Sequence, residues 1–226
     1  MSDSDLPRAP LTARLLLASP PVLDGGGPPG VRVSGIASRI SDEVVARAIE
    51  SAWYWPEAKD ALAKHRAQLE VALVAEAGSP PDLALALTKA VASLVAKHDA
   101  VAVLWDATEL AHDPAQWIAQ SEDATPDDLP LFLWLAFEGA ENADGTRTLR
   151  TRGARTLGGN EVEVAASKRD GEELLETVCD VALLVLTSPV PLEDGEQVEV
   201  TLGKVRVRVE PSLRNDGTKA YRLRLP

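Results

Sequence analysis

Cysteine is nearly missing from this chain of 226 residues: Cys179 stands alone. No intrachain disulfide can form, and a zinc site built from several cysteines is excluded. Histidine is almost as scarce. His65, His98 and His112 lie far apart and share no metal-ligand spacing such as HxxxH. Few are at hand to activate a serine or cysteine nucleophile. No metal and no cofactor is expected. Positive charge is short too: 23 Lys and Arg face 35 Asp and Glu, a net charge of -12. A DNA-binding surface needs the opposite balance, since phosphate neutralisation requires concentrated Lys and Arg. An anionic membrane surface is disfavoured for the same reason. Apolar runs such as Val181–Leu186 are far too short to span a bilayer. The N-terminus, MSDSDLPRAP, has neither the basic start nor the apolar core of a secretory signal. The expected location is cytoplasmic.

What is present is an ordinary globular composition, 45% hydrophobic and 26% charged, so disorder is not expected. Residues 1–11 read as a flexible arm, and 12–226 as one α+β domain with a lobe boundary near the acidic stretch EDATPDDL at 122–129. Strands are expected at 12–18, 31–37, 67–75, 100–105, 131–137 and 161–166, with a hairpin at 197–210 and a last strand at 220–225. Helices are expected after Ser41, between Glu57 and His65, from Pro80 to about His98, at 113–121, and from Asp170 to about Leu186. This order is not the regular alternation of a doubly wound sheet. The expected fold is α+β: mixed or antiparallel sheets with helices packed on one face, as two pseudo-similar lobes.

Four stretches carry a resemblance: AWYWPEAKDALAKHRAQLEVALV (52–74), AVAVLWDATELAHDPAQW (100–117), LPLFLWLAF (129–137) and TRGARTLGGNEVEV (151–164), with LEDGEQV further on. Together they resemble the bacterial family catalogued as domain of unknown function 4261, over roughly residues 12–200. The resemblance implies a fold and an order of elements and transfers no mechanism. By analogy it suggests an accessory or immunity-like role in bacterial secretion systems. Where such proteins usually carry a helix between the first two strands, this chain has LDGGGPPG (23–30). That loss would leave a strand edge bare for a partner or for a second copy.

Several residue groups could carry chemistry. Asp106 and Glu109, in WDATE at a strand end, could act as acid and base; capping a turn and meeting solvent are the plainer roles. Gly153, Gly158 and Gly159 invite comparison with a phosphate loop, but no Lys-Ser/Thr follows and a strand comes next, so a tight turn is expected. GGGPPG is too rich in proline to present a row of N–H donors. Glu161 and Glu163 fall on one strand face, as a carboxylate pair or a wet sheet face. Lys204, Arg206 and Arg208 alternate with valines, opposite Arg222 and Arg224. They are either a docking patch for an acidic partner or a solvated hairpin face. Trp53, Tyr54 and Trp55 cannot all face one core, so at least one should be exposed. Cys179 lies on an apolar helix and reads as an inert thiol.

From these features the expected function is a non-catalytic protein-binding or adaptor protein, using Trp53, Trp55, Arg206, Arg208 and Arg222. The enzymatic alternative is a small-molecule hydrolase or transferase built on Asp106 and Glu109. Homo-oligomers through the bare strand edge are a further expectation.

Overall fold

Residue patterning and local capping set where each element starts. The computed structural model describes residues 11–21, 27–74 and 77–225. Residues 1–10 of the expected arm and residues 23–26 of the LDGGGPPG loop therefore lie outside the described residues. The chain divides into two compact units between Asp123 and Ala124.

The first unit holds β1 (Thr12–Leu17), β2 (Val31–Ile36), α1 (Asp42–Ser51), α2 (Ala58–Lys64), β3 (Ala67–Leu73), α3 (Pro80–Val95), β4 (Ala100–Trp105), β5 (Leu110–His112) and α4 (Pro114–Asp123). Ser41 caps α1 by accepting from the Val44 N–H. Asp113 caps α4 through the N–H groups of Ala115 and Gln116. The strands form one antiparallel sheet in the order β2-β3-β1-β4-β5. Register puts Ala13, Leu15, Leu69, Val71, Val103 and Trp105 on one face. Against that face lie α3 and α4, which bury Leu87, Val91 and Trp117. The other face packs Leu16, Ala102 and Leu104 against Ala48, Trp55, Ala58 and Leu62 of the α1–α2 region. Each fully buried leucine contributes about 1.5–3 kcal/mol.

The second unit holds α5 (Leu131–Trp134), β6 (Ala136–Glu141), β7 (Arg147–Arg152), a 3₁₀ turn (Ala154–Leu157), β8 (Val162–Ser167), α6 (Gly171–Thr187), β9 (Gln197–Val200), β10 (Gly203–Pro211) and β11 (Lys219–Arg224). Its sheet runs β6-β7-β8-β11-β10-β9; β8 and β11 are parallel and the other neighbours antiparallel. Asp170 caps α6 by accepting from the Glu173 N–H. The helix buries Leu174, Val178, Val181, Ala182 and Leu186. It packs on β7, β8 and β9, near the apolar sheet residues Leu149, Val162, Val164 and Val198. Gly159 permits this approach: a Cβ there would meet Val185 Cγ1 at 2.7 Å.

The α+β class holds, with helices on one face in the second unit and on both faces in the first. One strand reading is corrected. Residues 131–137 begin as a helical turn, closed by the Leu135 N–H to the Leu131 carbonyl at 2.8 Å, and turn extended only afterwards. A continuous apolar run has no period to separate the two states. None of the described helices is long and apolar enough to cross a membrane.

Candidate functional site

In the first unit, the α1–α2 face of the sheet becomes charged beyond its apolar end. Arg14 stands across from Glu70 in register and pairs with Asp106 at 3.3 Å. The Asp106 side chain is only 16% exposed, and its Oδ2 is buried without a hydrogen-bond partner among the described residues. Burial pushes its carboxyl above the ordinary range. Thr12 and Arg14 oppose that rise, while Glu70 and Glu109 add to it. Glu109 sits at φ 52 and is held by two bonds from Arg47, one of them Nη2 to Oε1 at 2.8 Å. Each candidate carboxylate is thus clasped by its own arginine.

The aromatic tripeptide splits. Trp55 is 9% exposed and belongs to the α1–α2 core, so its place on a docking surface is corrected. Trp53 is 61% exposed. It rests edge-on against Tyr54, with ring centroids 5.7 Å apart. Tyr54 in turn reaches β5: its hydroxyl donates to the Ala111 carbonyl at 3.0 Å or pairs with His112 Nδ1 at 2.7 Å. A half-buried aromatic ring therefore supports an exposed one.

His65 caps α2 but is fully buried, with Nδ1 against the Leu62 carbonyl and Nε2 unpartnered among the described residues. Burial lowers its pKa, so the fold favours a neutral imidazole at this helix end. His112 is buried in β5 beside Trp117. Cys179 is half-buried, and burial pushes its thiol up to about 12, the inert behaviour expected of it.

In the second unit, the sheet face opposite α6 carries a row of charges. Glu138, Arg150, Glu163, Arg222 and Arg208 are successive partners across β6, β7, β8, β11 and β10. Glu163 is fully buried, and its carboxylate accepts from Ser212 Oγ at 2.7 Å, the Leu213 N–H at 2.9 Å and Arg222 Nη2 at 3.0 Å. The wet-face reading of Glu161 and Glu163 is therefore corrected. Arg222 is corrected with it: at 6% exposed it is an internal partner and cannot line a docking patch. Arg208 pairs with Asp194 at 3.1 Å. Arg206 remains exposed, directly across from Arg224.

Glu161 explains the glycine-bearing turn. Its carboxylate accepts from Thr151 Oγ1 at 2.7 Å and from the N–H groups of Gly153, Ala154 and Arg155 at 2.9, 3.3 and 3.4 Å. Gly153, at φ 120, allows these donors to converge. The turn does bind an anion, and the anion is its own glutamate. Sequence reading also missed Glu138, Arg150, Arg152 and Arg214, which come together only through strand register and the turn after β10.

No family model, no curated protein and no solved structure matches the chain.

Proposed function

We propose that this chain is a non-catalytic protein-binding protein, an adaptor, that engages a partner through an aromatic surface centred on Trp53. One observation carries the reading: Trp53 is 61% exposed, while Trp55, Trp105, Trp117 and Trp134 are buried. Tryptophan is enriched among the residues that dominate binding energy, because it offers a large rigid area at little entropic penalty. The contact with Tyr54 fixes the ring before any partner arrives.

The test is recovery of partners by the tagged chain from its native host, followed by direct titration of any stoichiometric protein recovered. Trp53→Ala should weaken that complex by about tenfold or more while the fold is retained. Equal affinity for the two proteins defeats the proposal. Light scattering on the same samples reports self-association through the β2 edge.

A second reading, a small-molecule hydrolase or transferase, is favoured by the part-buried Asp106 carboxyl at a strand end. It requires a small molecule that shifts the thermal transition of the native chain and fails to shift Asp106→Asn. A metabolite screen without such a compound removes it.

A further inference from the structure

In the first unit, β2 forms one edge of the sheet, and among the described residues no strand lies on its outer side. Its register with β3 runs without a shift over all six residues, and it holds no proline that would blunt the edge. The opposite edge differs: β5 has three residues, all buried. The helices centre away from β2, with α3 on β1 and β3, α2 on β4 and α1 on β5. Leu69, Val71 and Ala72 of β3 are buried. Val31, Val33 and Ile36 of β2 are only half-buried, and Val74, just past β3, is 57% exposed.

Bonds at one end fix which way the β2 backbone turns. The Leu73 N–H donates to the Leu11 carbonyl, and the Val74 N–H to the Gly30 carbonyl. Successive residues of an antiparallel strand turn their polar groups to alternate sides. Arg32, Ser34 and Ile36 thus face β3, while Val33 and Gly35 turn their N–H and C=O groups outward. Charge on the same strands is left over. Among the described residues, the Arg32 side chain and the Glu70 carboxylate make no ion pair or hydrogen bond. Arg14, the register neighbour of Glu70 on β1, pairs with Asp106. On its other side Glu70 stands directly across from Ser34.

We infer that β2 pairs with β2 of a second copy of this chain, antiparallel about a twofold axis at Val33, so that the two sheets join. Charge selects the register. With Val33 across from its own copy, the two Val33 residues exchange N–H and C=O bonds, and each Gly35 N–H meets the Val31 carbonyl of the other protomer. Ser34 then faces Arg32 of the second copy, on the sheet face that carries Glu70. Glu70 and that arginine flank the small Ser34, about 10 Å apart at Cα, within the joint reach of two long side chains. The twofold axis repeats this ion pair. A slip of two residues one way would set Arg32 against Arg32, and the other way against Ile36, so both lose the pair. The Trp53–Tyr54 pair reaches β5, the opposite edge of the sheet, so either surface can fail without the other.

Sedimentation of the full chain over a range of concentrations is the test. A reversible dimer is expected at low ionic strength, and salt should weaken it. Arg32→Glu and Glu70→Arg should each weaken dimerisation about tenfold or more, because each sets like charges together at two symmetric places. Combining Arg32→Glu with Glu70→Arg reverses both partners and should restore the dimer. Val33→Pro removes an outward N–H without touching a bond to β3, and should give a monomer. Circular dichroism identifies the variants that keep the fold. Arg32→Glu, at an exposed position, carries the test if the Glu70 or Val33 variants misfold. A parent that stays monomeric up to about 100 μM overturns the inference. So does a dimer indifferent to Arg32→Glu, which places the interface elsewhere. Folded single variants that dissociate, without recovery in the folded double variant, overturn it as well, because the contact between Glu70 and Arg32 is what selects this pairing.

Discussion

The two sheets solve one problem in different ways. Each must dispose of polar side chains on a face that is not fully solvated. The first unit packs helices on both faces and confines charge to one end, where Arg14 and Asp106 meet. The second covers one face with α6 and runs an ionic row across the other, from Glu138 to Arg208. Ten of the sixteen arginines lie after residue 123. Planar guanidinium groups can satisfy carboxylates on neighbouring strands, which suits them to such a row. Stability in the first unit should therefore depend on shape, and in the second on pairing.

The sharpest way to break this contrast is Glu163→Ala. It strands the nearly buried Arg222 without its main partner, for an expected loss of about 3–5 kcal/mol. Hydrogen exchange should show the loss at amides of β8, β10 and β11. The double change Glu163→Leu with Arg222→Met removes both charges and should recover much of the stability. A single variant as stable as the parent would show the row to be superficial. Glu161→Gln is expected to be milder, about 1–3 kcal/mol, because one acceptor oxygen remains for the converging N–H groups. Its exchange signature should centre on residues 153–157. Protection lost evenly across the unit would contradict the local role of Glu161.

How much of this was readable beforehand depends on distance along the chain. Helix starts were legible because their caps are local: Ser41, Asp113 and Asp170 each accept a backbone N–H within three residues. Alternation on β10 was legible for the same reason. The fate of Glu163 was not, because its partners Ser212, Leu213 and Arg222 lie 49 to 59 residues away. An alternating strand reads the same whether its polar face meets water or a buried counter-charge. The split between Trp53 and Trp55 was legible only as a requirement that one be exposed.

Acidification should separate the units by a different route. His65 is buried and its pKa is depressed, so the fold favours neutral imidazole. That contribution is complete above the unfolded value of about 6.5 and is lost as the pH falls through it toward the depressed folded value. The first unit should lose stability as the pH falls below about 6.5. His65→Asn should flatten that slope. Four of the five tryptophans lie in the first unit, so intrinsic fluorescence during denaturant unfolding reports mainly on it. Parallel pH profiles for the parent and the variant would remove His65 as the source.

The smallest stability effects are expected where binding was proposed or expected. Trp53→Ala and Arg206→Ala should each fall within about 0.5 kcal/mol of the parent, since both side chains are largely exposed and neither leaves a buried partner unpaired. Near-neutrality here is informative because Trp55, two residues from Trp53, is a core residue. If Trp53→Ala proves costly, the ring is serving the fold through Tyr54, and the protein-binding reading loses the observation that carries it. If it is neutral, Trp53 contributes nothing measurable to the unit that holds it. That outcome separates Trp53 from the fold, and titration of a recovered partner against Trp53→Ala then decides whether the ring serves binding.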